Sequence, residues 1–346
     1  MRRIIKILSV GLILLLVLGL LAGCGGQKQE TQQEEAKEEQ KVEKIVFKLG
    51  HAVNEKHPYH LGAVKFKEMV EEKTKGKVEI QLFPNNQLGT GERDLIEGLQ
   101  LGTVDLVVTS TGPLSGFEKK FLLFDFPFLF RDKEHAYKVL DGEIGQYVLG
   151  LLEKQGIKGL AWYENGYRHL TNSKRKVLTP EDAKGLKLRT MENKLHMAIW
   201  QALGANPTPM AWGEVFTALQ QGTVDGQENP IPIIYTQKLY EVQKYLSLTG
   251  HVYSPAVLLM SKNQFDKLPE EFKEIFIEAA KESGALERQM ITDMENEQVE
   301  KLKQEGMEVS QPDKTLFLEA TKSVYDEYKP ELGEDAKLLD EIINTK

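Results

Sequence analysis

The sequence predicts an α/β protein of two lobes, joined by crossing strands that act as a hinge and braced by one long helix. Three observations carry this. The 346 residues exceed what one ordinary core serves. A strand–helix–strand–helix–strand pattern runs through Lys44–Val108, and a similar alternation returns over Leu186–Asp225. A stretch free of proline, from Pro269 to Glu305, is rich in Glu, Lys, Ala and Leu.

The chain begins with an address. Arg2, Arg3 and Lys6 precede the apolar run Ile7–Leu21, which ends in Leu21-Ala22-Gly23-Cys24. The run has the length of a signal-peptide core and is short for a membrane span. Small residues before the chain's single Cys are similar to the bacterial lipobox, in which the Cys is lipidated and becomes the first residue; an uncleaved anchor is the other reading. Residues 1–23 are thus expected to be a lipoprotein signal peptide. Their removal leaves 41 basic and 52 acidic residues, a net charge of −11. Residues 24–41 are rich in Gln, Glu and Lys and cannot bury a core, so a lipid-anchored, solvated tether is expected. A body without further Cys suits an oxidising space outside the cytoplasm.

The body follows. Lys44–Leu49 alternates as a strand, His60–Thr74 has helical spacing, Val78–Phe83 is a strand broken by Pro84, Glu92–Leu101 is a helix closed by Gly102, and Val104–Val108 is an apolar strand. Such an order implies a parallel sheet covered on both faces. Later, Thr179-Pro180-Glu181-Asp182 reads as an N-cap followed by Pro and acids in a first turn. Leu186–Arg189 is a strand, Asn193–Leu203 and Gly213–Gln221 are helices, and Thr223–Asp225 is a strand. Leu99–Asp105 (LQLGTVD) is echoed by Leu219–Asp225 (LQQGTVD), which suggests related lobes or repeated αβ-turn chemistry. The stretch after Pro269 makes a helix of about 55 Å at ~1.5 Å per residue, with Gly284 as a possible bend. Crossings are expected near Trp162–Asn165 and Gly250–Pro255. The resulting boundaries are 42–163 with 254–290 for lobe I, and 164–253 with 291–346 for lobe II.

Composition and motifs exclude several classes. The acidic balance argues against a nucleic-acid partner. One Cys excludes a disulfide scaffold and a cysteine-rich metal site. There is no G-x-S-x-G, H-E-x-x-H, P-loop or G-x-G-x-x-G, so no nucleophile, general base, cofactor or metal is nominated. His57 and His60 are three apart, a metal pair only with a third ligand, and otherwise two imidazoles at a helix start.

Two arginines stand out instead. Arg189 ends a strand, where ligands of parallel α/β folds bind, and a guanidinium there offers a planar fork to a carboxylate; an ordinary ion pair is the alternative. Arg168 lies in Glu164–Asn172 with the same two readings. Asn229, held extended by Pro230, is either a cleft contact or a turn residue. Trp212 either stacks on a sugar ring or packs in the core.

The body from about Lys44 resembles the extracytoplasmic solute-binding subunit of tripartite ATP-independent periplasmic (TRAP) transporters, of the dicarboxylate-binding (DctP) type. The runs that carry the resemblance are Phe83–Gly89 (FPNNQLG), Glu97–Asp105 (EGLQLGTVD), Phe124–Phe130 (FDFPFLF), Gly185–Arg189 (GLKLR), Leu203–Val215 (LGANPTPMAWGEV) and Asp225–Pro230 (DGQENP). The resemblance implies a periplasmic-binding-protein clamshell that holds an organic acid and delivers it to integral-membrane subunits. It implies that Arg189 grips the carboxylate, that Arg168 and Asn229 contact the ligand, and that Trp212 stands where Phe is often found. It also points, through matching segments, to His51 and to Ser110 in the loop Thr109–Thr111. A sialic-acid branch carries an acid at the place of Ser110, which speaks against that ligand. The runs Trp162–Arg168 and Leu246–Pro255 look most like the sugar-acid branch, which takes uronates and keto-aldonates; C4-dicarboxylates are the alternative. An exported enzyme and an ABC-importer binding protein are the competing classes.

Overall fold

The computed structural model describes residues 44–346. The expected signal peptide, Cys24 and the tether lie outside the described residues. The first half runs β1 (Ile45–Gly50), α1 (Pro58–Lys73), β2 (Val78–Phe83), α2 (Glu92–Leu101), β3 (Leu106–Ser110), α3 (Lys133–Asp141), α4 (Glu143–Leu151) and β4 (Ile157–Tyr167). Then come β5 (His169–Asn172), α5 (Pro180–Ala183), β6 (Lys187–Thr190), α6 (Lys194–Ala202), β7 (Asn206–Pro209), α7 (Trp212–Gln220), β8 (Gly226–Asn229), α8 (Ile231–Thr236) and β9 (Tyr245–Ser247). The chain closes with β10 (Tyr253–Ser261), α9 (Lys262–Asp266), α10 (Glu270–Gln304), β11 (Glu308–Ser310), α11 (Lys314–Ala320), α12 (Lys322–Tyr328) and α13 (Ala336–Asn344).

The strands make two sheets, ordered β2-β1-β3-β10-β4 and β11-β9-β5-β8-β6-β7. The first is not wholly parallel as expected. β1 is parallel to β2 and β3, but β10 runs antiparallel to both β3 and β4. The reason is topological: β10 returns the chain from the second sheet, so it enters from the opposite end.

Only Arg168 separates β4, in the first sheet, from β5, in the second. Its backbone N–H donates to Val252 O at 2.8 Å, joining the outgoing and returning crossings. The crossing therefore lies at Arg168, a few residues beyond the expected Trp162–Asn165, of which Trp162–Glu164 stay paired with β10 while Asn165 sits at a register shift. The strand expected at Thr223–Asp225 is displaced to Gly226–Asn229. Those three residues instead form the turn that leaves α7, with Thr223 N–H donating to Ala218 O at 2.9 Å.

The heptapeptide echo has one local geometry in both places. Gly102 and Gly222 take the left-handed conformation, with φ of 73° and 69°. Asp105 accepts the Lys48 N–H of β1 at 2.8 Å, and Asp225 accepts the Lys187 N–H of β6 at 2.9 Å. In each case the aspartate pins the strand it opens to the neighbouring strand.

Against one face of the first sheet pack α1 and α10, with Phe47 and Phe66 each edge-on to Phe276 at 5.7 Å. Phe121, Phe124 and Trp162 belong to the core cluster on the other face. Leu302, near the end of α10, enters the core of Val215, Leu219 and Leu246. The long helix thus shares a core with each sheet. Gly284 does not interrupt it; a Cβ there would lie 2.7 Å from Trp162 O, so glycine permits close approach to β4. The C-terminal segment contacts both halves: Ile342 O meets His135 Nε2 at 2.8 Å, while Glu331 pairs with Lys194 of α6.

Candidate functional site

Arg189 stands on β6, between β8 and β7, and is 3% exposed. Its Nε and Nη2 both donate to Met210 O, at 2.9 and 2.7 Å. Ala211 is extended ahead of α7 and brings Trp212 alongside, its ring 5.4 Å from Arg189 Cζ. Burial, then the charge of Arg168, pulls the Arg189 pKa down to about 10, with Glu228, Glu92 and Glu192 opposing. The group remains cationic at neutral pH, and an entering anion would relieve both causes.

A cavity of about 20 Å³ opens beside it. From the second sheet's side it is lined by Arg189, Met191, Trp212, Asn229 and Ile233. Across from them stand Ala52, Val53, Tyr59, Glu92 and Ser110, with Asn165 from β4. Asn229 ends β8 and donates from Nδ2 to Gln227 Oε1 at 2.5 Å. Ser110 ends β3 and holds Glu92, the first residue of α2. Its N–H donates to Oε1 at 2.7 Å and its hydroxyl to Oε2 at 3.0 Å, while the Thr109 hydroxyl adds a third bond at 3.1 Å. Tyr59 OH and Asn165 Oδ1 are buried without a hydrogen-bond partner among the described residues.

Arg189, Asn229, Trp212 and Ser110 are therefore brought together as lining residues. Arg168 and His51 are not in the lining. Arg168 lies behind it, fully buried, with Nε 2.6 Å from Glu228 Oε2 and Nη2 2.8 Å from Oε1. Its Nη1 is buried and unpartnered. Glu228 also meets His251 Nε2 at 3.0 Å and His196 Nδ1 at 3.6 Å, and His196 reaches Asp125 at 3.2 Å. Burial would raise the Glu228 carboxyl, but Arg168 and the two histidines hold it well below the usual range. His51 turns to His60, with Nε2 and Nδ1 3.0 Å apart; burial, then His60, lowers its pKa to about 3. Its neighbours Ala52 and Val53 supply the wall instead. His57 is the N-cap of α1, accepting Tyr59 N–H at Nδ1.

The sequence reading missed Tyr59, Glu92, Asn165, Met191 and Ile233. Glu92 was legible only as a first-turn acid, and Asn165 only as part of the Trp162–Arg168 run.

The family model described as bacterial extracellular solute-binding protein, family 7 (DctP), matches residues 49–331. The chain belongs to this family. It is 48% identical to a TRAP periplasmic solute-binding protein from a Polaromonas species solved with D-erythronate, at a TM-score of 0.85, with 88% of this chain and 99% of that one covered. It is 37% identical over 294 residues to the 2,3-diketo-L-gulonate-binding periplasmic protein of Escherichia coli, covering 84% of this chain and 89% of the relative. A TRAP solute-binding protein from Sulfurospirillum deleyianum with bound succinate is 34% identical, with a TM-score of 0.83 and coverage of 88% and 99%. As a DctP-family protein the chain has the two-lobed clamshell of TRAP solute-binding proteins, a family of extracytoplasmic solute-binding proteins. Among the described residues no helix is long and apolar enough to cross a membrane.

Proposed function

We propose that this DctP-family protein captures a sugar acid, a uronate or keto-aldonate, between its lobes and hands it to the membrane subunits of a TRAP importer driven by an ion gradient. The observation that carries this reading is Arg189. A buried cation, oriented by Met210 O and stacked by Trp212, stands in a small cavity with Asn229 and Ser110. Its fork takes the carboxylate, and the aromatic face beside it suits a hydroxylated ligand. The diketogulonate-binding and erythronate-bound relatives favour hydroxy acids. The succinate-bound relative keeps C4-dicarboxylates as the second reading. Arg168 acts from behind the cavity, where Glu228 fixes its Nε and Nη2 and its Nη1 has no partner among the described residues. His51 supports the wall through its neighbours.

The lobes meet at the Arg168 and Gly250–Val252 crossings, with 42–163 and 254–290 on one side. Cys24 is lipidated after removal of residues 1–23, and residues 24–41 tether the body to the outer face of the membrane. No cofactor or metal takes part in this reading. A thermal-stabilisation screen of organic acids, followed by calorimetric titration and a check for turnover, tests it. Stabilisation by sugar acids with no conversion supports it; stabilisation by C4-dicarboxylates alone favours the second reading. Absence of acyl mass on Cys24 in membrane-extracted protein would remove the anchor.

A further inference from the structure

The two walls of the cavity are chemically unlike. Among its lining residues the one cation is Arg189, and the one carboxylate is Glu92. Arg168 adds little free charge, because Glu228 lies against it at 2.6 Å. Opposite Arg189 the Ser110 hydroxyl already donates to Glu92, and the polar atoms left are the Glu92 carboxylate, the orphan Tyr59 hydroxyl and the orphan Asn165 Oδ1. Two of these three only accept, and the third both accepts and donates. Such a wall wants hydroxyl donors.

We infer that Glu92 is the specificity-determining residue of this site, accepting hydroxyls of a polyhydroxy monocarboxylate and turning away a second carboxylate. The inference rests on the reading that Arg189 takes the ligand's carboxylate. Glu92 is held in place rather than free to swing aside: Ser110 N–H, Ser110 Oγ and Thr109 Oγ1 all bond to it. A carboxylate offers about four lone-pair sites, so one acceptor position stays open. A hydroxyl fills that position with a charge-assisted bond. A dicarboxylate that seats one end on Arg189 places its second charge near Glu92 with no lining cation left to pair it, and two like charges at close range in a desolvated site repel strongly. Tyr59 OH and Asn165 Oδ1 also gain partners from a hydroxylated chain. A carboxylate could take only the Tyr59 donor and would leave Asn165 Oδ1 unpaired, and unpaired buried polar groups are how a site built for hydroxyls rejects an analogue that lacks them.

The test is calorimetric titration of the wild-type chain and Glu92→Gln with L-gulonate, D-erythronate, D-glucuronate and succinate. Glutamine keeps the shape and one acceptor oxygen for Ser110 N–H but removes the charge. The wild type should bind at least one hydroxy acid more tightly than succinate. Glu92→Gln should weaken that hydroxy acid about tenfold or more and strengthen succinate about tenfold or more, moving the preference roughly a hundredfold. Equal changes for both ligand types, or no change in a folded variant, would assign Glu92 only the pinning of α2 to β3 and overturn the inference. So would a wild type that prefers succinate to every hydroxy acid. If Glu92→Gln does not fold, Glu92→Asp takes its place. Drawing the carboxylate back from the cavity by one methylene should weaken the hydroxy acid several-fold and leave succinate unaltered or tighter, and parallel changes overturn the inference. An Arg189→Ala arm separates the two claims. Undiminished hydroxy-acid binding there shows that the carboxylate sits elsewhere, whatever Glu92 does.

Discussion

Arg189 gives two of its three nitrogens to one carbonyl, Met210 O, and that anchoring is what makes it a usable carboxylate clamp in an acidic protein. Replacing it by alanine leaves the ligand's carboxylate unpaired, a loss of about 2–5 kcal/mol, or roughly 30-fold to several-thousand-fold in affinity. Arg189→Lys keeps charge without the fork and should lose less. Calorimetric titration of both variants measures this; affinity within threefold of wild type in Arg189→Ala would remove the residue from the site. The same variant orphans Met210 O, so it should also unfold more readily, by about 1–3 kcal/mol in urea titration. Arg189, Asn229 and Trp212 were readable in the sequence because strand ends and a resemblance marked them. Glu92 and Tyr59 were not. Each lies in the first turn of a helix, and only tertiary contact decides whether such a side chain faces solvent or a cavity. The Arg168–Glu228 pair spans 60 residues and no local pattern announces it.

At the level of elements, the seam between α10 and β4 holds the most stored consequence. Gly284 sits against Trp162 O, and Gly62 of α1 lies within 3.0 Å of Glu287 Cβ once a methyl is added. Gly284→Ala would gain about 1 kcal/mol of helix propensity. It meets a backbone oxygen that cannot yield cheaply, so a net destabilisation of about 1–3 kcal/mol is expected, read as a lower denaturation midpoint. Beside it, Glu287 is fully buried, with Oε2 accepting Glu164 N–H at 2.9 Å and Oε1 unpartnered. Burial pushes its carboxyl well above the ordinary value of 4.5, with the Glu164 bond opposing and the Glu164 charge adding to the rise. A raised folded pKa means the unfolded chain releases the proton first, so stability falls as pH climbs from about 4.5 through the folded value, by about 1.4 kcal/mol per unit. Glu287→Gln removes that slope. Its melting temperature relative to wild type should therefore rise between pH 5 and pH 8, and a difference that shrinks or stays flat would show that the carboxyl is ionised. The long helix, α2 and β2 were legible from periodicity and from Gly and Pro stops. β8 was not, because its sequence is Gly-Gln-Glu-Asn, polar throughout and yet buried. Its hydrogen bonds come from residues far along the chain, and hydrophobic patterning carries no trace of them.

Across the whole molecule, the two sheets are joined by more than the Arg168 and Val252 crossings. Asn54 Nδ2 donates to Thr236 O at 2.5 Å, Gly213 N–H to Thr90 O at 3.2 Å, and Asn193 Nδ2 to Gly112 O at 3.0 Å. Each contact ties a residue from the first sheet's half to one from the second, around a cavity lined by both. A ligand that bridges the walls favours the state in which these contacts exist. At a hundred times its dissociation constant it should stabilise the fold by about 2.7 kcal/mol. X-ray scattering should then show a smaller radius of gyration with the stabilising acid than without it. Asn54 does not line the cavity, so it separates closure from contact. Asn54→Ala removes the bond to Thr236, worth about 0.5–1.5 kcal/mol to the closed state alone, and should weaken apparent affinity by roughly 2- to 10-fold. It should do so equally for every acid that binds, because it changes how often the lobes are shut rather than what they hold. The unliganded variant should also scatter as a slightly larger particle. Unchanged affinity together with unchanged size would mean that the Asn54–Thr236 bond persists whether or not the cleft is occupied, and that the lobes do not part along that edge.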